Sequence, residues 1–205
     1  MFLIYHNTTI YLVRHGSTAL NESGAYCGKT DIKLSPIGIG QMEELKKSLS
    51  KVVFDKIYVS SLKRTWQSAS IIKSVSENDD LLEKDECLDE MDFGLWEGLN
   101  NSQISSHYSS DWKKWTEDWK NSMPTGGESL VQMYSRVESF TKKMIKSSTG
   151  KKILIVAHQG SLRIIVSILM KLGYDGFWNF KFDHGTYSVI EMDRDICVLH
   201  KINCK

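Results

Sequence analysis

An arginine, a histidine and a glycine follow directly after a short apolar run near the start of the chain: Arg14, His15 and Gly16. Arginine presents a fork of N–H donors that suits phosphate oxygens, and an unprotonated histidine nitrogen is a nucleophile. Glycine lets the backbone turn and approach an anion closely. The triplet therefore points to nucleophilic attack on a phosphorylated substrate.

A second histidine occupies the same kind of position late in the chain. The apolar run 153–157 ends at His158, and Gln159 and Gly160 follow it. A single histidine of this kind is more often a hydrogen-bonded core residue. Two of them, each closing an apolar run and each followed by a glycine, indicate a shared active site.

The elements that position these histidines can be predicted from the alternation of patterns. The runs 10–13 and 153–157 have the composition of buried strands. Strands alternate with helices, which predicts a three-layer α/β/α sandwich with a mostly parallel central sheet. Ligands of such sheets bind beyond the carboxyl ends of the strands, so both histidines should lie at that edge.

Helix start signals support this interpretation. Ser35 and Pro36 are suited to the N-cap and first position of one helix, and Ser129 with Gln132 forms a capping-box pattern before a long one. Further strands are predicted at 56–60, 187–192 and 197–202, and further helices at 61–74, 101–120 and from 161. The stretch 88–127 has the least regular pattern, and we expect it to be a lid insertion within a single domain spanning 1–205.

Composition excludes several classes of partner. The chain has 205 residues, with 26 basic and 25 acidic side chains, and its net charge of +1 argues against nucleic acid or an anionic membrane surface. The longest apolar segment, 162–172, contains charges and is too short to span a bilayer. Four scattered cysteines indicate reduced thiols in the cytoplasm, and the six histidines lack metal-site spacing, so we expect no metal.

Five stretches, in this order, resemble the signatures of the histidine phosphatase superfamily, the phosphoglycerate mutase-like group. They are 12–18 (LVRHGST), 59–65 (VSSLKRT), 88–98 (LDEMDFGLWEG), 126–129 (GGES) and 157–160 (AHQG). The resemblance covers nearly the whole chain. It implies a phosphatase with a phosphohistidine intermediate, a small phosphorylated metabolite as substrate, and no cofactor.

The resemblance also implies roles for individual residues. His15 would be the nucleophile, and Glu90 would protonate the leaving oxygen and then activate water. Arg14 and Arg64 would bind the phosphate oxygens, as their bidentate donor geometry also suggests, and His158 would stabilise the equatorial oxygens. Acidic neighbours leave Asp89 and Asp92 as alternatives to Glu90.

The predicted substrate contacts are less specific. Ser61 follows a strand and opens a helix, a place where backbone N–H groups favour an anion. Asn21 has two interpretations, a phosphate contact or the cap of a turn. The predicted substrate-binding residues are Asn21, Cys27, Gly28, Ser61, Gln159 and Gly160.

The identity of the substrate rests on secondary motifs. The chain lacks the insertion between Gly98 and Gly126 that mutases of the group carry, which favours a phosphatase. Stretches 26–31 (YCGKTD) and 92–98 (DFGLWEG) resemble the subfamily that hydrolyses alpha-ribazole 5′-phosphate in cobalamin assembly. A broad-specificity or sugar-phosphate phosphatase is the alternative, followed by a mutase and by a binding module without catalysis. The sequence leaves a homodimer open.

Three tryptophans in the predicted lid have helical spacing: Trp112, Trp115 and Trp119. One interpretation is that their indoles pack against the core. The other is that they form an aromatic wall for a planar leaving group, with Cys27 lining the same pocket. His184 is predicted at the pocket rim, whereas His6, His107 and His200 are expected to be surface or structural residues.

Overall fold

The computed structural model describes residues 7–74, 80–194 and 196–205. Expectations for His6 lie outside these residues. The strands are β1 (Thr8–Arg14), β2 (Lys56–Val59), β3 (Leu82–Lys84), β4 (Lys152–Ala157), β5 (Tyr187–Asp193) and β6 (Ile196–Cys204). The helices are α1 (Ala19–Glu22), α2 (Pro36–Leu49), α3 (Lys63–Lys73), α4 (Asn101–His107), α5 (Ser109–Glu117), α6 (Leu130–Ser147) and α7 (Gln159–Leu169), with 3₁₀ turns at Glu86–Leu88, Gly94–Trp96 and Gly173–Asn179.

The six strands form one sheet in the order β3-β2-β4-β1-β5-β6. Strands β1 to β4 run parallel, and β5 and β6 are added as antiparallel strands at one edge. The two central strands, β1 and β4, are direct neighbours, with Arg14 paired to Ala157. Both apolar runs of the sequence therefore end side by side at the same edge of the sheet.

The core lies on both faces of this sheet. Alternate strand residues point to opposite sides, so Leu12 and Ile155 join the cluster built with α6 and α7, whereas Val13 and Val156 join the one built with α2 and α3. Near-continuous apolar strands are what a sheet covered on both faces requires. The predicted three-layer α/β/α sandwich with a mostly parallel sheet is confirmed.

Most predicted boundaries are close to the observed ones. The capping box of α6 forms, because the Ser129 side chain accepts from the backbone N–H of Gln132 while the Gln132 side chain accepts from that of Ser129. The predicted helix at 101–120 is two helices that meet at Tyr108, and the second ends at Glu117. Helix α7 starts at Gln159, two residues before its predicted start.

Across the described ranges, none of the helices combines the length and apolar character needed to cross a bilayer.

Candidate active site

The adjacent ends of β1 and β4 bring the two predicted histidines together. The backbone N–H of His15 donates to the carbonyl of Ala157 at 3.1 Å, which extends the strand pairing to the residue before His158. The ring centroids of His15 and His158 are 4.9 Å apart, and those of His15 and His184 are 5.1 Å apart. Three imidazoles therefore meet at the carboxyl end of the sheet.

The His15 ring is held in the tautomer that a nucleophile needs. Its Nδ1 lies 2.7 Å from the carbonyl oxygen of Gly16. Because a carbonyl only accepts, Nδ1 must carry the proton, and Nε2 keeps its lone pair. His184 supports the same turn, because its Nδ1 donates to the carbonyl of His15 at 2.6 Å. The predicted place of His184 beside the site agrees with this geometry.

The surroundings of His15 also keep the ring neutral. Burial lowers the pKa of His15 well below 6.5, and the charges of Arg64, His184 and Arg14 lower it further. A neutral imidazole is the form that attacks phosphorus. The guanidinium groups of Arg14 and Arg64 create a positive potential where a phosphate would arrive.

Arg14 leaves one edge of its guanidinium free. Its Nη1 donates to Gln159 Oε1 at 2.8 Å and to the carbonyl of Phe182 at 2.9 Å. Its buried Nε has no hydrogen-bond partner in the parts of the chain that the structure describes. Burial lowers the pKa of Arg14 to about 10, so the side chain stays charged at neutral pH. An unpaired, buried, charged donor beside His15 is a strong indication of an anion site.

Arg64, His158, Ser60 and Asp89 form one chain of hydrogen bonds behind His15. Arg64 Nε donates to His158 Nδ1 at 3.3 Å, so Nδ1 carries no proton and His158 Nε2 donates to Ser60 Oγ at 2.8 Å. Ser60 Oγ in turn donates to Asp89 Oδ1 at 2.9 Å. Both His158 nitrogens thus have protein partners, and the predicted contact of His158 with phosphate oxygens remains a prediction.

Ser61 does not present its polar groups to the site. Its backbone N–H and hydroxyl both donate to the Asp89 carboxylate, at distances between 2.8 and 2.9 Å. The anion at this turn is therefore the protein's own Asp89, and α3 begins later than predicted, at Lys63. The predicted contact of Ser61 with substrate remains a prediction.

Asn21 caps a turn, one of its two predicted interpretations. Its Oδ1 accepts from the backbone N–H of Thr18 at 3.1 Å and from the Thr18 hydroxyl at 2.9 Å. These bonds use Oδ1, so the Nδ2 donors remain for a substrate. The Cys27 thiol is also hydrogen-bonded to Thr18. Burial raises the pKa of this thiol, which keeps it protonated.

A half-buried carboxylate that the sequence analysis did not single out, that of Glu97, shapes the loop around Gly28. Glu97 accepts backbone N–H bonds from Gly28, Lys29 and Thr30 at 2.9 to 3.3 Å. The carbonyls of Gly28 and Thr30 accept from Arg64, at 2.5 and 2.8 Å. A Cβ at Gly28 would lie 1.9 Å from the carbonyl oxygen of Met91, so only glycine fits there. Gly28 thus positions Arg64, and its own predicted substrate contact remains a prediction.

Glu90 is the predicted acid whose carboxylate reaches the strand ends. Its Oε2 accepts from the backbone N–H of Gly160 at 3.1 Å, and its Oε1 accepts from that of Met91 at 3.0 Å. The two alternatives have other partners: Asp89 binds Ser60 and Ser61, and Asp92 accepts from the N–H of Gly94 at 2.8 Å. The geometry therefore favours Glu90 as the acid.

We predict that Gly160→Ala lowers activity without destabilising the fold. A Cβ at this position would lie 2.2 Å from Glu90 Oε1, so the carboxylate must move away. Gly160 lies in the first turn of α7, where alanine is the better helix former, so the free energy of unfolding should not fall. We expect kcat/KM to drop roughly 10- to 100-fold, measured by phosphate release alongside urea unfolding. Unchanged activity would show that the Glu90 carboxylate can occupy another place.

A pocket of about 230 Å³ opens next to Glu90. Arg163, which the sequence analysis did not single out, lies over the rings of Phe177 and Trp178, with its Cζ 5.4 and 5.0 Å from their centroids. The lining is predominantly aromatic and apolar, which suits a planar or apolar leaving group. The residues are Tyr26, Glu90, Met91, Phe93, Trp115, Met133, Gln159, Gly160, Arg163, Phe177 and Trp178.

Both predicted roles of the tryptophans in the lid, packing against the core and forming an aromatic wall, are found in the structure. Trp112 and Trp115 pack on the buried indole of Trp96, with ring centroids 5.7 and 5.9 Å away. Trp115 also lines the pocket, so it belongs to the aromatic wall as well. Trp119 lies beyond the end of α5 at Glu117, so the predicted helical face does not include it. Its ring nevertheless packs against the core, on Phe177 and beside Trp178, as the first interpretation expected.

The buried histidines make stability depend on pH. Burial lowers the pKa of His15 and His158 well below 6.5 and that of His184 to about 4. The unfolded chain takes up these protons near pH 6.5 and the folded chain does not, so the free energy of unfolding should fall as the pH drops below that value. We expect a loss of about 1.4 kcal/mol per pH unit for each histidine.

Urea unfolding at about pH 7.5 and about pH 5.5 measures this dependence. In His184→Asn, the change of the unfolding free energy with pH should be smaller by the contribution of one histidine. In His200→Asn, which replaces an exposed histidine, the change should equal that of the unaltered protein. Equal unfolding free energies at the two pH values would contradict the buried, neutral state of the three rings.

Comparison with known proteins agrees with this geometry. The family model of the histidine phosphatase superfamily (branch 1) matches residues 10–205. Phosphoserine phosphatase 1 of Hydrogenobacter thermophilus is 32% identical over 194 residues, covering 95% of this chain and 91% of that protein. Adenosylcobalamin/alpha-ribazole phosphatase of Escherichia coli is 29% identical over 196 residues, covering 96% of each. The crystal structure of the alpha-ribazole phosphatase from Shigella flexneri superimposes with a TM-score of 0.87 at 29% identity, covering 95% of this chain and 96% of that one.

The chain belongs to the histidine phosphatase superfamily, as the motifs of the sequence indicated. It is a phosphatase that acts on phosphorylated small molecules.

Proposed function

We propose that the protein hydrolyses phosphate monoesters through a phosphohistidine at His15. The Nε2 lone pair of His15 attacks phosphorus while the bond from phosphorus to the leaving oxygen breaks. The electron pair goes to that oxygen, which takes a proton from Glu90. The free Nε edge of Arg14 binds the transferred phosphoryl group, and the Arg64 guanidinium adds positive potential behind it. The contact of neutral His158 with the equatorial oxygens is part of this proposal and requires its Nε2–H to leave Ser60.

The second half-reaction returns the enzyme to its starting state. The Glu90 carboxylate takes a proton from a water molecule, which attacks the phosphohistidine. The bond from phosphorus to Nε2 breaks, and His15 regains its lone pair while Nδ1 keeps its proton on the Gly16 carbonyl. The observation that carries this proposal is the fixed tautomer of a buried, neutral His15 beside an unpaired Arg14 donor. The positive groups already present make a metal unnecessary for charge stabilisation.

For the substrate, we propose alpha-ribazole 5′-phosphate, hydrolysed in the cytoplasm. The aromatic pocket beside Glu90 is where a leaving group would lie during phosphoryl transfer, and Trp115, Phe177 and Trp178 offer faces for a planar base. The Escherichia coli and Shigella flexneri relatives with this specificity support the same substrate. Residues 88–127, which carry Glu90, Phe93 and Trp115, are proposed to act as the lid of a single domain.

Phosphoserine is the second candidate substrate. The Arg163 guanidinium in the pocket is a cation that can pair with a carboxylate on the leaving group. The Hydrogenobacter thermophilus relative named for phosphoserine supports this alternative.

Phosphate release in the presence of a chelator distinguishes these substrates. We would compare kcat/KM for alpha-ribazole 5′-phosphate, phosphoserine and p-nitrophenyl phosphate. The proposal expects a preference of about 10³-fold or more for alpha-ribazole 5′-phosphate over p-nitrophenyl phosphate. A preference for phosphoserine would support the second candidate, and similar values for all three would indicate a broad-specificity phosphatase. Loss of activity in the chelator, restored by metal, would contradict metal-independent chemistry.

A further inference from the structure

Arg136, a mostly buried residue of α6, binds the backbone of the segment that carries Glu90. Its Nη1 donates to the carbonyls of Cys87 and Asp89 at 2.9 and 2.7 Å, and its Nη2 donates to the carbonyl of Glu90 at 3.1 Å. One guanidinium thus binds three carbonyls within four consecutive residues. The Cys87 carbonyl belongs to the 3₁₀ turn Glu86–Leu88, whereas those of Asp89 and Glu90 follow the turn and lie outside regular secondary structure.

Glu128 fixes the guanidinium from the other side. Arg136 Nε donates to Glu128 Oε2 at 3.1 Å, and Nη2 donates to Oε1 at 2.5 Å. The same Oε1 accepts from the backbone N–H of Asp92 at 3.0 Å, and the backbone N–H of Glu128 donates to the carbonyl of Asp92 at 2.9 Å. Both residues are four-fifths buried, with exposed side-chain fractions of 20% and 18%. The pair therefore holds the chain on both sides of Glu90.

We propose that Arg136 is a positioning residue for the acid–base function of Glu90. This inference rests on the proposed function. The Glu90 carboxylate itself accepts hydrogen bonds from Met91 and Gly160. Neither bond restrains the backbone that precedes Glu90. Arg136 restrains that backbone, and lysine has no planar fork with which to bind three carbonyls and a carboxylate at once. Proton transfer loses efficiency steeply when the acid is misplaced by a fraction of an ångström to an ångström.

The dependence of rate on the leaving group separates this role from a general structural one. A nitrophenolate leaves readily without a proton, whereas a phenolate gains much more from protonation as the bond breaks. Displacing Glu90 should therefore lower kcat/KM for phenyl phosphate and spare kcat/KM for p-nitrophenyl phosphate, because kcat/KM reports phosphoryl transfer and not the later hydrolysis of the phosphohistidine. The two substrates are close in size and shape, so a disturbed pocket or phosphate site would affect both alike.

The test measures kcat/KM of Arg136→Gln with both substrates. We expect a loss of roughly 10- to 100-fold with phenyl phosphate and of less than about threefold with p-nitrophenyl phosphate. Arg136→Lys should lie between the variant and the unaltered enzyme. Lys142→Gln, on the same helix but in an exposed ion pair with Glu138, should change neither value. Equal losses with both substrates, or no loss with either, would overturn the proposal.

Two further variants keep the outcome decisive. If Arg136→Gln does not fold, Glu128→Gln is measured instead, because it weakens the orientation of the guanidinium and should give a smaller loss of the same selectivity. In the Glu90→Gln background, Arg136→Gln should add no further difference between the two substrates, because the group that it positions is gone. A wild-type enzyme that forms no phosphohistidine would defeat the proposed function, whereas one that forms it while Arg136→Gln shows no selectivity would defeat only this inference.

Discussion

Replacing His15 with alanine is expected to abolish phosphate release and to leave the fold intact. The imidazole Nε2 is the atom that would bond to phosphorus. The two neighbouring histidines have other contacts: both nitrogens of His158 have partners, and Nδ1 of His184 donates to the His15 carbonyl. We expect kcat/KM to fall by on the order of 10⁴-fold or more.

The fold should survive because His15 contributes little to it beyond packing. Within the described residues, the one hydrogen bond of its side chain is the local contact with Gly16, its backbone bonds remain in the alanine variant, and the strand before it is held by the neighbouring strands β4 and β5. Thermal unfolding by circular dichroism checks this, and His200→Ala, which removes an exposed histidine paired with Glu191, serves as the matched control. Activity near that of the unaltered enzyme in His15→Ala would contradict the nucleophile assignment.

Replacing Glu90 with glutamine is expected to have the second largest effect. The amide keeps the size of the side chain and removes the group that donates and accepts the proton. We expect kcat/KM for phenyl phosphate to fall about 10²- to 10⁴-fold. Hydrolysis of the phosphohistidine should also slow, since its water is no longer activated.

Asp89 and Asp92 provide the comparison for Glu90. Asp92→Asn should lower kcat/KM far less than Glu90→Gln, because the Asp92 carboxylate accepts from the N–H of Gly94, whereas that of Glu90 accepts from the N–H of Gly160, two residues after His158. If instead Asp92→Asn carried the larger loss, with thermal stability preserved, the acid would have been assigned to the wrong carboxylate.

The parts of the fold and site that follow from local patterns were predictable. The apolar runs before His15 and His158 predicted two parallel strands, and their adjacency places both rings at one edge. The capping box at Ser129 needs only a spacing of three residues, and the sequence displays it directly.

The parts that depend on distant contacts were not predictable from the residues themselves. Glu97 binds backbone N–H groups that lie 67 to 69 positions earlier, and Arg136 binds carbonyls 46 to 49 positions earlier. In sequence, each is one charged residue among many. For Glu97 a signal existed, because it lies in the stretch 92–98 that carried the family resemblance. The start of α3 was predicted two residues early, because Ser61 lies in a turn whose N–H donates to the distant Asp89 and the helix begins at Lys63.

Trapping the phosphorylated enzyme tests the central claim most directly. Glu90→Gln would be mixed with p-nitrophenyl phosphate, whose leaving group needs no acid, so that phosphoryl transfer proceeds while hydrolysis is slow. We predict a burst of about one nitrophenolate per enzyme and an acid-labile phosphoryl group on the peptide that contains His15. Linear release from the first turnover with no labelled protein, or a label on another residue, would contradict the phosphohistidine mechanism.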